Sequence, residues 1–298
     1  ITDEVRYGDP EYQEYDAELN DFLNKIFPDR EMREYMLDLW ALAISGKTIL
    51  QTFNVCTGSG SNGKSVNFEL LAEVFGDYYC TASPALLTKS RNDANTASPA
   101  LAVLIGKRII CTEEPDENEN IKTGIMKEAV SGTPITCREL HKSQKTFIPQ
   151  YMMFFNCNDK PDIESTDDGT WRRIRVSPYV SKFCDFDDPR LNNPRFKHHY
   201  PKDSTIKGKF CHWKEVFLNE LFRRFKKLKE NNFEITLPNL VQKAIDDYKT
   251  GHNIYETFKH NCLVKTSGER LTIVDAFDAF KQNADQCNQR IRNINRNT

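Results

Sequence analysis

One stretch constrains this chain more than any other: Gly58-Ser59-Gly60-Ser61-Asn62-Gly63-Lys64-Ser65, a complete G-x-x-x-x-G-K-S phosphate-binding loop. Its surroundings agree with it. Thr52 to Cys56 reads as a short strand, and Val66, Leu70, Leu71, Val74 and Phe75 fall on one helical face that Gly76 closes as a C-cap. In a strand–loop–helix unit of this kind the glycines let consecutive N–H groups point inward, and the helix directs its positive end at the same place. Residues Gly58, Ser59, Gly60, Ser61, Asn62, Gly63, Lys64, Ser65 and Val66 are therefore expected to cradle a nucleoside triphosphate, ATP in the simplest case. Lys64 would reach the β- and γ-phosphates and the Ser65 hydroxyl would hold Mg²⁺. The plainer alternative is a Gly/Ser/Asn surface turn that happens to precede a helix.

The next constraint lies some fifty residues on. Arg108 to Glu114 reads as a buried strand ending in two carboxylates. A phosphate-loop ATPase needs such a pair, one to hold Mg²⁺ and one to orient the attacking water. We assign Glu113 to the metal and Glu114 to the water; the competing reading is an acidic solvated loop, since Asp116, Glu117 and Glu119 follow. Ile121 to Val130 reads as a helix. Ile135 to Leu140 and Thr146 to Asn156 are β-rich and enclose the basic tip His141-Lys142-Ser143-Gln144-Lys145, a hairpin that composition alone would leave as a solvated turn. Asn158, just past the apolar run Tyr151 to Asn156, is either a turn former before Pro161 or a residue that touches the γ-phosphate. Arg172 and Arg173 are either surface charge or, in a multimer, an arginine finger.

Around these motifs the chain divides into a helical layer over 1–46, a nucleotide core over 47–180, a linker and helical region over 181–262, and the start of a winged-helix-like module over 263–298. Residues 1–16 form a charged lead-in. Helices are expected over 19–27, 31–44, 210–229, 240–248, 254–262 and 271–280, and residues 181–207, with three prolines, form a polar loop. His198 and His199 have no partners at ligand spacing. The formal charge of −2 gives no global signature of a nucleic-acid partner, although a channel can concentrate charge locally. The nine cysteines are scattered singly, which fits reduced thiols in an intracellular compartment. No run approaches membrane-spanning length and no signal peptide is visible, so no membrane partner is expected. The chain opens on Ile1, as an excised piece of a larger protein would.

Taken in order, the motifs G-S-G-S-N-G-K-S, G-K-R-I-I-C-T-E-E, M-K-E-A-V-S-G-T-P-I-T-C-R-E-L, F-F-N-C-N-D-K-P and G-T-W-R-R-I-R-V resemble those of superfamily 3 helicases of the AAA+ class. Within that class the N-G-K-S loop and the run D-F-L-N-K-I-F…L-A-I-S-G-K are most similar to the helicase part of poxvirus-type primase–helicases of large DNA viruses. The resemblance covers roughly residues 20–260. It implies an α/β fold: a P-loop core with a parallel sheet and inserted β-hairpin, flanked by N-terminal and C-terminal helices. It also implies a homo-oligomer, typically a hexameric ring around single-stranded DNA, with ATP and Mg²⁺ bound at subunit interfaces. On this resemblance His141, Lys142 and Lys145 would meet DNA phosphates, Arg172 or Arg173 would be the finger, and Asn158 the sensor. Lys127 and Arg138 would contact nucleotide across the interface or the hairpin base. A primase part would precede the chain, and the work would be viral genome replication in the host cytoplasm. A replication scaffold or loader without unwinding activity is the rival, and a small-molecule P-loop kinase a third option.

Overall fold

The structure, a computed structural model, describes residues 9–89, 98–113, 120–139, 141–163, 167–252, 258, 262–263 and 270–286. Two helices open it, α1 (Pro10–Ile26) and α2 (Arg30–Ala43). Helix α1 starts within the stretch expected to be a lead-in, because Asp9 caps it, accepting from the Glu11 N–H at 3.2 Å, and Pro10 sits at its first position. Its first half is charged and shows no apolar stripe. Asp29 caps α2 in the same way through the Met32 N–H at 2.8 Å.

Then come β1 (Phe53–Thr57), α3 (Lys64–Phe75), β2 (Tyr79–Ala82), the short turns α4 (Ala85–Thr88) and α5 (Pro99–Ala102), β3 (Ile109–Thr112) and α6 (Thr123–Val130). The hairpin strands β4 (Ile135–Arg138) and β5 (Gln144–Phe147) follow, then β6 (Met152–Asn156), α7 (Asp168–Trp171) and β7 (Ile174–Pro178). The main sheet has the order β2-β3-β6-β1-β7, and every pairing in it is parallel. A parallel sheet covered on both faces needs strands that are apolar throughout. Accordingly β1 and β3 are buried along their whole lengths, as is β6 up to Phe155. Asn54, fully buried in β1, is tolerated because its side-chain amide donates to the Met153 carbonyl at 3.0 Å. The pair β4–β5 is antiparallel and stands outside this sheet.

Residues 181–207 are more ordered than composition implies. They hold β8 (Lys182–Cys184) and β9 (His199–Pro201), which pair in parallel. Helices α8 (Phe210–Glu230) and α9 (Asn239–His252) follow, and a last helix spans Ile273–Gln286. The chain gathers into two compact units, Ile1–Ala244 and Ile245–Thr298. In the larger, α8 packs on α1, α2 and α3. Trp40 meets Phe217 edge-on with ring centres 6.0 Å apart, and Phe22 meets Trp213 at 5.5 Å. Arg224 ties α8 to α2, reaching Glu34 at 2.8 Å and Asp38 at 3.0 Å, and pairs within α8 with Glu220 at 2.6 Å. In the smaller unit Phe258 packs edge-on against Phe280. The expected helix over 254–262 and much of the winged-helix-like module fall largely outside the described residues.

Phe217 is fully buried at the helix junction. Phe217→Ala should cost about 3–5 kcal/mol, read as a lower urea midpoint, whereas Asp29→Ala should cost only about 1 kcal/mol through its lost cap.

Candidate active site

The phosphate-binding loop leaves the carboxyl end of β1 and feeds α3, so it lies where a parallel α/β sheet places its ligands. Its turn uses left-handed backbone at Gly60 (φ +76°), Ser61 (φ +48°) and Gly63 (φ +79°). Gly63 is also the N-cap of α3 and supplies no side-chain cap, which leaves the first N–H groups of the helix for a ligand. Space there is tight: a Cβ on Gly63 would sit 2.1 Å from Ile26 Cδ1 and 3.0 Å from Phe183 Cε2. The Asn62 side chain folds back inside the loop and accepts from the Lys64 N–H at 3.2 Å. Lys64 is 7% exposed, and its ammonium donates to the Cys157 carbonyl just past β6.

One cavity of about 580 Å³ opens on the inner side of the loop, lined by Lys64, Ser65, Thr112, Glu113, Asn156 and Asn158 among others. Five sequence-expected residues thus converge, since Gly60 lines it as well. Glu114 lies outside the described residues. The strand β6 ends at Asn156, which donates through Nδ2 to Cys111 Sγ at 2.9 Å and keeps its Oδ1 buried without a partner. The Thr112 hydroxyl is likewise buried and unpartnered. The sequence places the end of the apolar run at Asn156, where β6 does end, but gives the phosphate-sensing role to Asn158 alone; only the cavity shows that both asparagines line it. Burial pushes the Cys111 thiol up to about 12 and raises Cys56 as well, so both stay neutral packing groups. Ser65 and Glu113 line this cavity with oxygen donors, the ligand type that Mg²⁺ takes. Among the described residues no group of three or more His, Cys, Asp or Glu could hold a metal unaided.

A second cavity, also about 580 Å³, lies on the other side of the loop. Phe22 and Ile26 from α1, Val66, Phe183, Ile206 and Trp213 give it apolar walls, and Asp21, Lys25 and Asp203 line it with charge. Glu18 also lines it, held below its usual carboxylate range by the Lys209 ammonium and then by the Trp213 indole N–H, which donates at 3.0 Å. Part of this wall, namely Phe183, Pro201, Lys202, Asp203 and Ile206, comes from the segment read in sequence as a linker. Nothing in its composition announces it, since the contacts span well over a hundred residues.

Arg172 and Arg173 sit at the opposite, amino-terminal end of β7, and neither lines a cavity of its own chain's loop. They close a one-turn helix, α7, that Asp167 caps through the Thr170 N–H at 3.0 Å and hydroxyl at 2.9 Å. The same carboxylate accepts from Lys127 Nζ at 2.9 and 2.7 Å, so Lys127 is tied to the arginine turn and not to the hairpin base. Arg173 donates to the Gly169 carbonyl at 2.7 Å while its Nε is buried without a partner. Burial, and then Arg172, draw this guanidinium below its usual value. The hairpin exposes His141, at φ +59°, with Lys142 and Lys145. Both lysines pair with Glu139, the second at 3.1 Å, and hold its carboxyl below the usual range. Arg138 spans the hairpin, donating from Nε to the Lys142 carbonyl at 3.2 Å.

A family model described as "Family of unknown function (DUF5906)" matches residues 56–173. Among relatives, "Putative helicase L207/L206" of Acanthamoeba polyphaga mimivirus is 35% identical over 269 residues, 89% of this chain and 28% of that one. "Putative helicase 022R" of Frog virus 3 is 28% identical over 87% of this chain and 27% of its own length. "Putative primase C962R" of African swine fever virus (isolate Tick/Malawi/Lil 20-1/1983) is 31% identical over 63% of this chain and 20% of its own. The chain is a homologue of these large-DNA-virus proteins. It spans about a quarter of the length of the viral relatives named as helicases. Among solved structures, the apo A form of the NrS-1 C-terminal region shares the fold, with a TM-score of 0.53 at 15% identity over 82% of this chain and 55% of that chain. The stretch matched by the family model runs from β1 to the arginine turn and stops short of the segment that walls the second cavity.

The loop's geometry predicts an order among glycine variants. Gly60→Ala meets open space and should cost only the left-handed backbone term, about 1–2 kcal/mol. Gly63→Ala should add a further 1–3 kcal/mol or so of overpacking against Ile26 and Phe183. Urea unfolding without nucleotide reads both.

Proposed function

We propose that the chain is the ATP-hydrolysing motor of a viral DNA helicase, working as a ring on single-stranded DNA. The observation that carries this reading is the loop poised between two cavities, one holding Lys64, Ser65, Glu113 and Asn158 and the other walled by Phe22, Val66 and Phe183. A triphosphate seated on the loop N–H groups would put its nucleoside among Phe22, Val66 and Phe183, and its γ-phosphate beside Lys64, Asn156 and Asn158. Homology to proteins named as helicases and primases supports the same direction.

In this mechanism Lys64 exchanges the Cys157 carbonyl for phosphate oxygens and offsets their charge. Mg²⁺, held by Ser65 and Glu113, would neutralise charge that develops on the β- and γ-oxygens. Glu114 orients a water for in-line attack at the γ-phosphorus, the bond to the bridging oxygen breaks, and Asn158 with Asn156 follows the departing phosphate. An arginine from the next subunit, Arg172 or Arg173, completes the site. Since both lie at the far end of β7 from their own loop, action across an interface is the way they can reach a phosphate. His141, Lys142 and Lys145 grip DNA phosphates without reading sequence, and Lys142 and Lys145 leave Glu139 to do so. The working protein is a hexamer in the host cytoplasm, joined to a primase part in the whole polypeptide.

The test is ATP hydrolysis against protein concentration, with and without single-stranded DNA, for wild type, Lys64→Ala and Arg173→Ala. Activity should rise faster than linearly, respond to DNA and fall by about 10³-fold or more in each variant. Mixing the two inactive variants should restore part of the turnover, because each supplies what the other lacks. Linear, DNA-blind activity that tolerates loss of both arginines would leave a nucleotide site and remove the motor.

A further inference from the structure

Three successive carbonyls of the phosphate-binding loop are taken up by one distant segment. The Lys182 ammonium donates to the Gly60 carbonyl at 2.8 Å and to the Ser59 carbonyl at 3.3 Å, and the Phe183 N–H donates to the Ser61 carbonyl at 2.7 Å. The segment is itself anchored on both flanks. The Tyr179 N–H donates to the Thr57 carbonyl at 2.8 Å, and its phenol oxygen accepts from Asn67 Nδ2 at 3.2 Å. The Ser181 hydroxyl donates to the carbonyls of Lys25 at 2.6 Å and Ile26 at 3.3 Å. Phe183 lines the apolar cavity, whereas Lys182 is among the lining residues of neither cavity.

A loop that turns its N–H groups toward a polyphosphate must turn carbonyls away from it, and those carbonyls need donors of their own. Ser61 moreover holds a left-handed conformation that a non-glycine residue leaves readily when nothing pins it. We propose that Lys182 is a positioning residue for nucleotide binding. By satisfying the Ser59 and Gly60 carbonyls it keeps the loop N–H groups aimed inward before any ligand arrives, and it acts on the loop without touching phosphate. The bland alternative is a surface lysine resting on the nearest oxygens. Against it stands the donation by the neighbouring Phe183 N–H to the next carbonyl, which makes the two residues one continuous brace. This inference rests on the nucleotide-site reading given above.

The experiment compares wild type, Lys182→Met, which keeps the aliphatic stem, and Lys182→Arg, which keeps donors. Amide hydrogen exchange of the ligand-free protein comes first. In Lys182→Met, peptides covering residues 58–66 should exchange about tenfold faster while α8 is unchanged. Fluorescent ADP and ATP analogues should both bind about tenfold more weakly, by equal factors, and Lys182→Arg should recover most of both effects. Unchanged exchange, or a loss confined to ATP, would overturn the proposal, the latter by making Lys182 a direct ligand of the γ-phosphate. Wild-type protein that binds neither analogue, or that binds them equally well as Lys64→Ala, would sink the nucleotide-site reading itself. The ligand-free exchange does not depend on that reading, so the two failures are distinguishable.

Discussion

The pairing of β1 with β6 on one side and β7 on the other is the constraint on which the site depends. The register sets Cys56 opposite Asn156 and Ser177, so the carboxyl ends of three strands finish at one level. The loop leaves β1 at that level, Asn156 and Asn158 close off β6, and β7 runs on into the segment that braces the loop. Close packing on both covered faces enforces this alignment, because a one-residue slip would exchange the side chains that a strand presents to its two faces. The two candidate cavities exist because α1 and β3 then cover opposite sides of the same loop.

A second dependence is electrostatic. Cations stand at two separate places, Lys64 at the loop and Arg173 with Lys127 about the amino-terminal end of β7. Lys64 spends its charge on a carbonyl, Arg173 holds one buried N–H unpaired, and Lys127 shares Asp167 with the cap of the arginine turn. A cation held by a neutral carbonyl, or one with a buried N–H unpaired, is less fully satisfied than one paired with a carboxylate. β7 joins the arginine turn at its start to the brace at its end across five residues, about 17 Å of extended chain. The two ends thus face different duties in the proposed ring, one toward a neighbour's nucleotide and one toward the chain's own.

Much of this was legible from residue order. The loop, its strand and its helix are local, and their signals all lie between Thr52 and Gly76. The strand before Glu113 and the hairpin around His141 were legible for the same reason, since a buried parallel strand is a continuous apolar run and a hairpin closes over a short span. The first half of α1 was missed because its charged face carries no stripe, although Asp9-Pro10 is a sound start signal in hindsight. Asp167 had a readable sign too, an aspartate three residues before Thr170 at the head of a turn. Lys182 had none.

By itself, then, the sequence determined the phosphate loop, the fold class and the order of motifs, because each depends on spacing along the chain. Only the tertiary structure decided that the supposed linker braces the loop and walls a cavity. It also tied Lys127 to the arginine turn and Ser181 to the end of α1. Those are hydrogen bonds and packing contacts between residues from forty to more than a hundred and fifty positions apart. Such contacts depend on how the sheet and helices close on one another, and no local pattern of residues encodes that closure.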